Sequence, residues 1–252
     1  MRRALVVAGV MMFAASGVIA AEINVFSAGA VQEVEKEIAA EFAKQTGHKV
    51  TFTIGTVGQI QEKLKAGAPV DVIVVSAHAL EDMAKTGVVR PDSRVAVGRI
   101  GIGVGYKAGA PKPDISSPDA FRETLLKAKA ITYMDPAVGA SSGIAFARIL
   151  SDLGIADQMK PKTKLTQAGY SADKVASGEV ELAIQNQSEI MPVKGVTLAG
   201  PLPGPLQVYT PYAAGVATKS GNVNEAQAFI RAITDAKAAE HWRHAGIEPA
   251  AR

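Results

Sequence analysis

The sequence predicts an α/β protein of two lobes, each a mostly parallel sheet flanked by helices, joined by two hinge crossings. Three observations predict it. Apolar, β-prone runs alternate with amphipathic helical runs along nearly the whole chain. The order reads βαβαβα, pauses at a glycine-rich extended stretch, and then begins again. The run VDVIVVSA (70–77) is apolar on both faces, as a strand at the centre of a parallel sheet must be.

Each element follows from its own pattern. Ile23, Val25 and Phe26 open a strand. Val31, Val34, Ile38 and Phe42 then form one stripe of a helix over 30–45, which stops at Gly47, the residue best suited to a left-handed terminus. Val50, Phe52 and Ile54 alternate as a strand, a helix over 59–65 ends at Gly67, and after the buried strand a helix over 79–85 ends at Gly87. RIGIGVGYKAG (99–109) is β-prone and rich in glycine, and a loop with Pro and Asp follows it. The second set has a helix at 121–127, the strand AITYMD, a helix over 142–153 ended by Gly154, a short helix at 171–177, and the strands VELAIQN and VTLAGPLPGP. VYTPYAAGVA (208–217) is extended again, and helices over 223–235 and 238–244 finish the chain. The crossings are expected near 102–107 and 208–214. The domain reading is a signal peptide at 1–21, lobe 1 at 22–103, lobe 2 at 104–207, and a return crossing with the C-terminal helices of lobe 1 at 208–252.

Composition narrows the function. Arg2 and Arg3, an apolar run over 4–19 and small residues at 18 and 20 read as a secretory signal, cut after Ala20 or Ala21. Removing Arg2 and Arg3 takes the basic count from 27 to 25 against 24 acidic residues, so the mature chain is nearly neutral. The pI near 9.0 is then no argument for nucleic acid or an anionic membrane. The chain has no cysteine, which excludes thiolate metal sites, thiol nucleophiles and a lipid-bearing Cys after the signal. His241 and His244 stand three apart but lack a metal motif, and the glycines of GRIGIGVG lead into no capped helix. No metal and no cofactor is expected.

Four loops share one character: Ser27-Ala28-Gly29-Ala30, Gly55-Thr56-Val57-Gly58-Gln59, Gly139-Ala140-Ser141-Ser142-Gly143 and Gln185-Asn186-Gln187-Ser188. Each follows a strand or opens a helix, and each is small, polar and uncharged. The first N–H groups of a helix have no partner within it, and the helix dipole puts partial positive charge there. Small residues let a ligand reach that backbone, so neutral groups alone can hold an anion. The expected ligand set is Ser27, Gly29, Ala30, Thr56, Val57, Gly58, Gln59, Ser141, Ser142, Gly143 and Asn186. Glu179, Glu181 and Glu189 are expected to face solvent. His78 lies just past the buried strand, either as a solvated loop histidine or as a ligand donor and proton carrier.

These residues resemble the periplasmic molybdate-binding protein family, a branch of the type II solute-binding proteins of ABC transporters, over nearly the whole mature chain. INVFSAGAVQEVEKEIAAEFAKQTG is similar to that family's first strand and helix. GQIQEKLKAGAPVDVIVVSA carries Ala66-Gly67-Ala68-Pro69 with Asp71 and a buried strand behind it, and SGEVELAIQNQSEI and NEAQAFIRAITDAKAAEHWRHAGIEP resemble its later segments. The resemblance implies a type II periplasmic-binding fold, capture of a small anion between the lobes, delivery to ABC permease membrane subunits, a monomer, and a periplasmic location. The ligand residues depart from the molybdate pattern. The family's two helix-start hydroxyls fall at Ala30 and near Val57 or Gly58, and its late Tyr falls at Asn186. The donors that remain, Ser27, Thr56, Gln59, Ser141, Ser142 and Asn186, suit a larger planar anion such as an organic carboxylate. The same fold family includes a periplasmic aconitate isomerase, which implies an alternative activity, proton transfer on a tricarboxylate, with His78 as the expected base.

Overall fold

A computed structural model describes residues 20–251. The expected signal peptide lies almost entirely outside them. The chain runs β1 (Glu22–Ala28), α1 (Gln32–Thr46), β2 (Lys49–Gly55), α2 (Val57–Lys65), β3 (Val72–Ser76) and α3 (Ala77–Lys85), then the long β4 (Val95–Lys107). The second set is α4 (Pro118–Lys127), β5 (Ile131–Tyr133), α5 (Ser141–Asp152), α6 (Ala156–Met159), α7 (Asp173–Ala176), β6 (Leu182–Asn186), α8 (Gln187–Ile190) and β7 (Val196–Pro201). The chain returns through β8 (Tyr209–Val216) and finishes in α9 (Val223–Thr234), α10 (Ala238–His244) and β9 (Ile247–Pro249).

The alternating segments make the parallel pairs the pattern predicted: β1 with β2, β1 with β3, and β5 with β6. The two long strands that link the halves run against their neighbours, so both sheets are mixed. β8 is antiparallel to β3 and β4, and β4 is antiparallel to β6, β7 and β9. β4 changes partners between Gly101 and Ile102: Val95 to Gly101 pair with β8, while Ile102 to Tyr106 pair with β6. Gln207 pins this point, its Oε1 accepting from the Ile102 N–H at 3.1 Å and its Nε2 donating to the Ile102 carbonyl at 3.0 Å.

Each half has its own core on both faces of its sheet. Ile23, Val25, Val72 and Val74 pack with Phe42, Phe229 and Trp242, while Ile73 and Val75 turn the other way onto Ile60, Leu80 and Met83. In the second half Ile102, Val104, Leu182 and Ile184 meet Phe121, Phe146 and Leu150, and Ala183 faces Val175 and Ile190. That alternation is the period-two side-chain geometry of a strand. A fully buried side chain of this size contributes about 1.5–3 kcal/mol. No cluster of the described residues mixes large side chains from both halves, so parting the halves exposes a polar seam and leaves both cores intact.

Candidate functional site

The seam encloses a cleft of about 110 Å³. Lobe 1 contributes Ala28, Gly29, Ala30 and Gln32 from the β1–α1 junction, Gly55 to Val57 and Gln59 from the β2–α2 junction, and Tyr212 from β8. Lobe 2 contributes Met134, Ala140, Ser141 and Ser142 around the start of α5, Ala168 and Gly169, and Asn186 and Glu189 around the start of α8. These positions lie at the carboxyl ends of strands β1, β2, β5 and β6, where open α/β sheets hold their ligands. Two of the helices aimed at the cleft, α1 and α5, start without a side-chain cap, as α3, α9 and α10 do elsewhere, whereas α2 is capped by Thr56. Helix-start N–H groups without a side-chain partner are free to meet an anion.

Polar contacts hold the seam closed. Gln32 Nε2 donates to the Tyr170 hydroxyl at 3.0 Å, and that hydroxyl donates to Glu33 Oε1 at 2.9 Å. Ser188 Oγ donates to the Ala30 carbonyl at 2.7 Å. Thr56 Oγ1 donates to the Val138 carbonyl, and Gln59 Nε2 reaches the Gln167 carbonyl at 3.4 Å.

Of the expected ligand set, Gly29, Ala30, Thr56, Val57, Gln59, Ser141, Ser142 and Asn186 line the cleft, and Ser27, Gly58 and Gly143 do not. Ser27 is fully buried below the floor, where its hydroxyl donates to Glu35. Gly58 and Gly143 serve close packing instead: a Cβ at 58 would sit 2.7 Å from the Val138 carbonyl oxygen, and one at 143 would sit 2.0 Å from that of Met134. Thr56 and Gln59 form a reciprocal capping box on α2, so their side chains are already engaged. That box also explains why α2 begins two residues before the expected helix at 59–65.

The expectation of His78 as a ligand donor and base is corrected. α3 buries Ala79, Leu80, Met83 and Ala84, which turns His78 outward. Its side chain is 86% exposed, stands 3.5 Å from Asp82, and is not among the cleft residues. The reverse holds for Glu189. On the single turn α8, where Ser188 and Ile190 are buried as well, Glu189 is turned inward to line the cleft, 7% exposed, with Oε2 accepting from Asn186 Nδ2 at 2.7 Å. Burial pushes its pKa up to about 7, against smaller downward effects of hydrogen bonds from Asn186 and Gln185. Glu35, under the floor, is pushed up by burial to about 8. The Tyr212 hydroxyl meets Ser141 Oγ at 3.2 Å, and burial holds this phenol well above its usual range. Sequence reading missed Tyr212, although YTPYAAGV falls in the expected return crossing. Among the described residues no group of three His, Asp or Glu is placed to hold a metal ion.

The family model for bacterial extracellular solute-binding proteins matches residues 23–248. The chain belongs to the bacterial extracellular solute-binding protein family. Within that family's range, this solute-binding protein is 31% identical to an aconitate isomerase from Pseudomonas sp over 96% of this chain and 94% of the relative. It is 28% identical to the molybdate-binding protein ModA of Azotobacter vinelandii over 88% of this chain and 87% of the relative. The periplasmic molybdate-binding protein structure from Azotobacter vinelandii superposes with a TM-score of 0.75 at 23% identity, covering 89% of this chain and 98% of that one. The two-lobed fold is therefore that of the periplasmic binding proteins, and no described helix is long and apolar enough to cross a membrane.

Proposed function

We propose that this solute-binding protein captures a small organic carboxylate between its lobes and presents it to the membrane subunits of an ABC importer. The carrying observation is the pair of uncapped helix starts, α1 and α5, that face one cleft from opposite lobes. The reading includes export to the periplasm with loss of the leader, no lipid anchor, a monomer, and lobes divided near 103/104 and 207/208. A carboxylate is favoured over molybdate by the donors that remain. Ser141 and Tyr212 offer hydroxyls to the cleft, while Ser27 is committed to Glu35 and Ala30 has no hydroxyl. A hydrogen bond to a charged partner is worth about 1.5–3 kcal/mol, so missing helix-start hydroxyls matter for a compact oxyanion.

Thermal unfolding tests this with molybdate, sulfate, phosphate, citrate and both aconitate isomers. A ligand at a hundred times its Kd stabilises the native state by about 2.7 kcal/mol. In a chain of this size that raises Tm by about 5–10 °C. Shifts confined to molybdate or sulfate would overturn the carboxylate reading.

A second reading is proton transfer on a tricarboxylate, favoured by the Pseudomonas aconitate isomerase relative that matches nearly the whole chain. Interconversion of cis- and trans-aconitate by the purified protein, followed by chromatography, is its test. Binding without turnover would leave capture alone.

A further inference from the structure

Glu189 is out of place in a cleft shaped for an anion. Its carboxyl lines the cavity, and no salt bridge among the described residues reaches it. An ionised carboxylate there would repel a bound carboxylate at close range in a poorly hydrated space. Its neighbours give it no positive charge. Asn186 and Gln185, on its own strand-to-helix junction, are neutral. Tyr212 from β8 and Tyr170 from the loop before α7 are the titratable groups that feel its charge, and burial holds both phenols protonated. From α1, Glu35 sits beneath the floor with its own carboxyl kept protonated by burial up to about pH 8, and Glu33 is turned to the Tyr170 hydroxyl. Across the cavity lies Gly29, where a Cβ would come within 3.1 Å of Glu189 Oε1. That oxygen therefore points at the open β1–α1 junction where the anion is read to sit.

We propose that Glu189 binds the ligand as an acid, donating its O–H to a carboxylate of the captured anion, so that capture takes up a proton wherever the free protein holds Glu189 ionised. This rests on the anion reading above and names the group that recognises the ligand. An O–H donor to a carboxylate forms a short, charge-assisted bond, because the acceptor is ionised. Sulfate is a weaker base than a carboxylate and gains less from it. The site thus favours carboxylates by a means that helix N–H groups alone do not supply. Free Glu189 titrates near 7, and the bound anion moves it higher. Capture above neutrality therefore requires a proton from solvent.

Isothermal titration with trans-aconitate, a probe ionised throughout the range used, tests this between about pH 7.5 and 9. The expected wild-type result is affinity falling about twenty-fivefold across this range, approaching tenfold per pH unit at its upper end, with roughly 0.8 to 1 proton taken up when buffers of different ionisation enthalpy are compared. Glu189→Gln keeps a donor that does not titrate, and is expected to lose the proton uptake that belongs to Glu189, leaving only the shallower pH dependence that Glu35, raised to about 8, lends the floor. Wild-type binding that is flat with pH and proton-neutral overturns the proposal and leaves the anion reading standing. A Glu189→Gln variant with the wild-type slope overturns it likewise. If no carboxylate binds at any pH, both fall. Should Glu189→Gln fail to fold, the proton count of the wild type decides alone.

Discussion

Replacing Glu35 by Gln is expected to remove a large part of the pH dependence of stability. Glu35 lies on the buried stripe of α1; its Oε2 accepts from Ser27, and Oε1 has no partner among the described residues. Burial raises it from 4.5 to about 8. Below pH 4.5 the folded and unfolded chains both hold the proton, and the group costs nothing. Above that, the unfolded chain ionises while the folded one does not, and stability falls by about 1.4 kcal/mol per pH unit until the folded group titrates. Between pH 5.5 and 7.5 Glu35 therefore removes about 2.5 kcal/mol. Glu189, raised to about 7, removes about 2 kcal/mol more over the same window by the same linkage. Urea unfolding with linear extrapolation at both pH values measures the sum. Wild type is expected to lose about 4–5 kcal/mol from these two groups and Glu35→Gln about 2 kcal/mol. The variant's absolute stability is not the readout, since its new amide N–H is itself buried without a partner. Equal losses in the two proteins would refute the reasoning. The functional consequence is that the cleft floor stays uncharged at neutral pH because a proton stays on Glu35.

Other substitutions probe the seam. Tyr170→Phe deletes both hydroxyl bonds to α1 and is expected to raise the Kd for a carboxylate about tenfold, within the ~1–3 kcal/mol that two such bonds supply; X-ray scattering of the free protein should show a larger radius of gyration. Gly58→Ala places a methyl 2.7 Å from the Val138 carbonyl oxygen, so closure should suffer while each lobe keeps its core. The expected result is a Kd raised at least tenfold with the unliganded Tm nearly unchanged, and an unchanged Kd would refute it.

How legible this protein was in its sequence depended on what each residue's role draws on. The helices and strands rest on local periodicity, and α10 begins and ends where its pattern put it. The four neutral loops were found for a sound reason, and each of them contributes residues to one cleft. Within those loops the chain alone could not distinguish a residue that faces the ligand from one that permits a close approach. Gly58 and Gly29 look alike in sequence, and only the distance from residue 58 to Val138, a neighbour 80 positions on, separates them. The same limit explains the exchange between His78 and Glu189. Both stand second or third in a helix that follows a buried strand, with chemistry suited to a cleft. α3 spends its inward face on Leu80 and Met83 and so turns His78 to solvent. α8 is a single turn docked under β4, where Ile190 and Ser188 are both buried, and it carries Glu189 in with them. A buried carboxyl beside an anion site contradicts the rule that charged residues face water. Its presence fits an anion site when the group holds a proton in the bound state, and so the residue least expected in the cleft is the one that says most about what enters it.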